Sequence, residues 1–152
     1  MPFERARHVL HHIREVHRTA ATLYHRASER TASPRVRMLL DYLEGHEKRF
    51  EKGLERFERY IPPGTMHAFF QNSPDAIHPP ESLQELSEST EPTQDEVLDA
   101  ALELDRWIEN CYRQMAEIAP TATTREAFRG LEKQQAAEQR LIVTQVQMMD
   151  DL

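Results

Sequence analysis

Three carboxylates and one imidazole stand where a helical protein would otherwise bury carbon. His17, Glu47, Asp105 and Glu138 each lie in a run whose other members recur at alternating spacings of three and four. The runs are Leu10, Ile13, His17, Ala20, Tyr24, then Leu40, Leu43, Glu47, Phe50, Leu54. Two more follow in the second half, Leu98, Ala101, Asp105, Ile108, Tyr112 and Phe128, Leu131, Gln135, Glu138, Ile142. One nitrogen and three carboxylate donors, with the Gln135 amide as a weak oxygen donor, suit iron, manganese or zinc. One ion fits them more naturally than two. Neither haem nor flavin is expected. Without a metal, His17 would be the only internal cation, and an unpaired buried carboxylate is costly. Some carboxyls would then hold protons, and Tyr24, Tyr112, Gln135 or trapped water would complete a polar network. Both readings are open.

All eight histidines lie between His8 and His78. His8 and His12 share a helical face with His11 beside them, near the chain start where surface histidines are ordinary. His46 adjoins Glu47 and would enter the layer if its helix turned slightly.

These residues need long helices to hold them level. Apolar positions at three and four predict helices over 3–29, 34–60, 94–118 and 124–149. Ser33 with Pro34 reads as an N-cap and first helical residue, Thr93 with Glu96 as a capping box, and Thr123 with Glu126 as another. The remaining stretch, 61–93, is proline-rich and without a sustained period. It is far longer than an ordinary bundle connection, so it predicts a crossover along the bundle. A short turn is expected at His67-Ala68-Phe69-Phe70, its two phenylalanines pinning the crossover. The fold class is all-α, an antiparallel four-helix bundle made of two hairpins in one domain spanning 1–152.

The hairpins are related. At an offset of 88 residues Leu10 falls on Leu98, Tyr24 on Tyr112, Leu43 on Leu131 and Leu54 on Ile142. Both short loops keep register without a gap. The polar positions superpose as well, His17 on Asp105, Glu47 on Gln135 and Phe50 on Glu138.

With these positions the chain resembles rubrerythrin-type members of the ferritin-like superfamily. Those carry one Glu on helices 1 and 3 with an aromatic seven residues later, and Glu-x-x-His on helices 2 and 4, around a di-iron or mixed di-metal centre. The short–long–short connections match that topology, and Tyr24 and Tyr112 stand where the aromatics would. The ligands are altered. His17 occupies the helix 1 carboxylate position, Asp105 is the shorter helix 3 carboxylate, and Phe50 stands at the helix 2 histidine. On helix 4, Gln135 replaces Glu and Glu138 replaces His. A hemerythrin-like centre is excluded, because it needs histidines on the later helices.

Composition narrows the rest. A net charge of −7 argues against a nucleic-acid partner. The absence of an apolar run of roughly 20 residues argues against a membrane partner, and a cytoplasmic location is the expectation. The lone Cys111 excludes an internal disulfide, a cysteine-based zinc site and a rubredoxin-like domain, so any redox cycle would need an external electron donor. An iron-storage shell is disfavoured, since only three residues follow Met149. Val9, Leu23, Leu104, Trp107 and Cys111 extend the apolar faces beyond the seams and suggest a homodimer, as the resemblance also implies. The leading expectation is a ferritin-like protein with a degenerate, mononuclear metal site linked to iron or oxidative-stress handling, its enzymatic status open. The alternatives are a metal-free structural or interaction module, and a small organic ligand bound beside Phe50.

Overall fold

The computed structural model describes residues 4–61, 64, 69–70 and 79–151. Four long helices form it: α1 (Ala6–Arg30), α2 (Pro34–Tyr60), α4 (Gln94–Glu117) and α5 (Ala122–Asp150). A short helix, α3 (Ser82–Glu88), lies in the crossover. The first helix starts later than its periodicity suggests because Glu4–Arg5 (β1) pairs antiparallel with Phe69–Phe70 (β2), Glu4 opposite Phe70. That backbone pairing is the described part of the expected 67–70 turn. The pinning phenylalanine side chains, His67 and His78 lie outside the described residues.

The helix starts follow local chemistry. The Ser33 hydroxyl accepts from the Val36 N–H at 3.3 Å, with Pro34 in the first turn where its missing N–H is harmless. Thr93 Oγ1 accepts from the Glu96 N–H at 3.1 Å and donates its own proton to the Glu96 carboxylate. The last helix begins earlier than the Thr123/Glu126 box implies. Pro120 ends the preceding stretch, and Thr121, the next residue, caps the Thr124 N–H at 3.1 Å.

Each hairpin is a packed pair, α1 on α2 and α4 on α5, with α2 also touching α4. The 88-residue relation is visible as a repeated ion pair. His25 Nδ1 meets Glu44 at 3.0 Å across the first hairpin, and Arg113 Nε donates to Glu132 at 2.8 Å across the second, at equivalent positions. Every seam residue but two is buried. Leu98 is half-buried because Val97 takes the inward position, and Glu138 is half-buried at the edge. Leu141, the neighbour of buried Ile142 on the last helix, is 53% exposed.

The off-seam residues also pack within the chain. Val9, Leu23, Leu104 and Cys111 are buried within the single chain. The crossover packs α3 against α1 and α4, and Leu83 of α3 lines a cavity with Leu23 and Leu104. At these residues the flank is covered by the chain itself, with Trp107 partly buried beside it. The crossover is fastened at its lower end. Arg30 Nη1 donates to the Ser87 carbonyl, and Glu91 Oε1 accepts from the Ala32 N–H at 3.2 Å.

Leu104→Ala is therefore expected to lower stability by about 2–5 kcal/mol, the range for an emptied core site. Leu141→Ala is expected to change it by less than about 0.5 kcal/mol. Urea denaturation of the two variants checks the pair.

Candidate metal centre

The polar layer forms because all four long helices bring at least one charged or amide group to the same depth. His17 on α1, His46 and Glu47 on α2, Asp105 on α4 and Gln135 on α5 are each at most 1% exposed. Glu138 on α5 stands at the edge, its side chain 29% exposed. Fully buried Tyr24 and Tyr112 flank the layer, both of their hydroxyls without a hydrogen-bond partner.

Of the four residues singled out in the sequence, Glu47 and Asp105 come together, and the imidazole that joins them is His46. Ligand atoms of His46, Glu47 and Asp105 all lie within 4.8 Å of one another. His46 Nε2 is 3.5 Å from Asp105 Oδ2 and its Nδ1 is 3.3 Å from Glu138 Oε2. His17 sits behind Glu47, its Nδ1 in close contact with Glu47 Oε2. Phe50 divides the two imidazoles. It stacks parallel on His17 at 5.2 Å and meets His46 edge-on at 4.8 Å. His8, His11 and His12 take no part in this group. The sequence placed His46 next to the layer rather than in it. Strict three-and-four counting marks one residue per turn, whereas a buried helix face is wide enough to admit a neighbour.

The electrostatics are those of a site short of positive charge. Burial lifts the Asp105 carboxyl from 3.8 to about 6, the His46 hydrogen bond opposing and the Glu47 charge adding to the rise. Burial alone would lower His46, but Asp105, Glu47 and Glu138 outweigh it and hold the imidazole above its usual value. Burial and the charges of Glu47 and Asp105 push Tyr24 well up. Both Asp105 oxygens, both His46 nitrogens, His17 Nε2 and the Gln135 amide are buried without an aligned hydrogen bond to protein. Buried polar groups are nearly always satisfied, so this many at one level calls for a partner that the side chains do not supply. A divalent cation fits: two carboxylates and an imidazole are ordinary ligands for iron, manganese or zinc.

A solved structure shares this arrangement of helices. The crystal structure of a protein from Thermotoga maritima, described as a candidate ferritin-like diiron-carboxylate protein, matches with a TM-score of 0.65. The match covers 95% of each chain at 12% identity. The fold is ferritin-like. No family profile matches the sequence, and no curated protein does. Within this fold the inward-facing level holds His17, His46, Glu47, Asp105 and Gln135, with Phe50 among them.

A cavity of about 210 Å³ borders Phe50 between α2 and α5, where the sequence suggested room for a small ligand. Among the described residues no helix is long and apolar enough to cross a membrane.

A carboxyl whose folded value is raised binds its proton more tightly in the native state than in the unfolded chain. The metal-free protein should therefore lose stability as pH rises from about 4 through about 6, by up to about 3 kcal/mol from Asp105. His46, also raised, extends the decline above its ordinary 6.5. Denaturation midpoints of chelator-treated protein at a series of pH values check this, and Asp105→Asn should flatten the pH 4–6 segment.

Proposed function

We propose that this chain is a ferritin-like protein binding a single divalent transition metal at His46, Glu47 and Asp105. The observation carrying the reading is the convergence of three buried donors within 4.8 Å at the level where the bundle presents its polar side chains. In this reading His46 offers Nε2, the nitrogen facing Asp105, while Nδ1–H points to Glu138. A histidine ligand is commonly oriented by a carboxylate on its other nitrogen, and Glu138 serves in that way. His17 does the same for Glu47, holding one carboxylate oxygen through Nδ1. So His17 and Glu138, two of the four ligands expected from sequence, become positioning residues, and His46 supplies the nitrogen that Phe50 cannot.

Bound iron or manganese would supply redox chemistry toward oxygen species, and zinc would supply a Lewis acid. The chain's own part is to hold the ligands in a dry layer and to take the Asp105 proton off as metal binds. The Thermotoga neighbour's description as a diiron-carboxylate protein supports iron as the first metal to test. Cys111, the one cysteine, is buried and pushed up to about 12 by that burial, so it suits neither electron transfer nor nucleophilic work. Electrons for any cycle would come from an external donor, and an unoxidised thiol suits a cytoplasmic location. The proposal needs one chain only.

Protein expressed with added iron and purified without chelators should carry about one ion per chain, since a single nitrogen and two carboxylates build one ligand set. His46→Ala and Asp105→Ala should abolish it, whereas His17→Gln and Glu138→Gln should weaken affinity by roughly 10–100-fold. Elemental analysis with competitive chelator titration reads all four, and full metal retention in His46→Ala would remove the assignment.

A further inference from the structure

The cavity between α2 and α5 opens beside His46 and Glu138, and its lining is not that of a metal channel. Its α2 side carries Arg49 and Arg56, seven residues apart on one face with Gly53 between them. Gln134 and Glu138 face them from α5, and Phe50 and His46 form the inner wall. Both arginines are exposed, and neither has an ion pair with a carboxylate among the described residues. Arg49 lies 6.0 Å from the Tyr42 ring. Arg18 and Arg113, by contrast, each cross a hairpin to a glutamate. The one carboxylate in the cavity, Glu138, faces His46. Two guanidinium groups with no carboxylate partner among the described residues would repel a hydrated cation here and attract an anion. The floor is open where Gly53 sits, since a Cβ there would meet no atom within 4 Å.

We propose that this groove binds a small oxyanion, a phosphate or a carboxylate, on Arg49 and Arg56 beside the metal centre. Guanidinium forks pair with such oxygens through two parallel N–H donors. At about 210 Å³ the space is below that of an ordinary drug-sized pocket, which selects a compact anion. The Gln134 amide offers a further donor from the opposite wall. An anion seated there lies next to His46 and Glu138, at the side of the centre nearest solvent. Arg49 and Arg56 lie outside the proposed ligand set, so the groove is testable on metal-free protein.

The experiment is titration of metal-free protein at low ionic strength with inorganic phosphate, and separately with acetate, followed by NMR of the arginine Nε–H groups and the Gln134 side-chain amide. Saturable shifts confined to Arg49, Arg56 and Gln134 are expected with one or both anions, and the stronger of the two identifies the class. Affinity should fall at least tenfold in the double variant Arg49→Ala/Arg56→Ala and also in Gly53→Glu. The second variant keeps both arginines, improves helix propensity and places a carboxylate within one turn of each, so its loss of binding cannot be unfolding. Arg125→Ala on α5 should bind as the parent does. Linear, non-saturating shifts, or equal affinity in Gly53→Glu, would overturn the proposal. Metal content measured on the same variants reports the centre independently.

Discussion

A carboxylate at 1% exposure has to be balanced by charge, proton or metal, and this bundle places two of them, Glu47 and Asp105, against each other. Every other feature of the layer answers to that demand. His17 and His46 lie against the carboxylates, Phe50 separates the imidazoles, and Asp105 holds its proton to about pH 6. Protein side chains go only part of the way. The nitrogens and oxygens of His46 and Asp105 have no aligned hydrogen bond from protein groups, and replacing such groups by apolar ones is often harmless to stability. In the proposed reading a cation completes them.

The same demand gives Phe50 its place in the layer. Its ring stacks on His17 and meets His46 by its edge. The imidazole that faces Asp105 stands four residues before it on α2, on the other side of Glu47. The second hairpin provides Asp105 and, at the rim, Glu138, while Gln135 keeps the place that Glu47 has in the first. Two related hairpins have thus become unequal, the first supplying both imidazoles and the second two carboxylates. Their outer faces have diverged less, since His25–Glu44 and Arg113–Glu132 still bridge each hairpin at matching positions.

Much of this was legible in the residues. Periodicity and caps placed four helices, Ser33 and Thr93 at their starts, and the offset of 88 placed the polar layer at one depth. The chain's likeness to a ferritin-like structure followed from those positions rather than from identities, which are few. What counting could not resolve was rotation about a helix axis by less than one residue. Such small turns decide that Val97 faces inward instead of Leu98, and that His46 joins the centre while Glu138 sits at its rim. Nor could it reveal α3, a single seven-residue helix inside a proline-rich stretch. Its two leucines are too few to show a period, yet both are buried, and Leu83 packs beside Leu23 and Leu104.

The central claim is that the buried layer is completed by a metal ion. The most direct measurement is the thermal midpoint of chelator-stripped protein at pH 7 before and after titration with iron(II), manganese(II) and zinc(II). Saturation with the right ion, at about a hundred times its dissociation constant, adds about 2.7 kcal/mol and should raise the midpoint by roughly 5–10 °C. The rise should vanish in His46→Ala. An unchanged midpoint with all three ions would contradict the account and leave the layer as a polar network without metal.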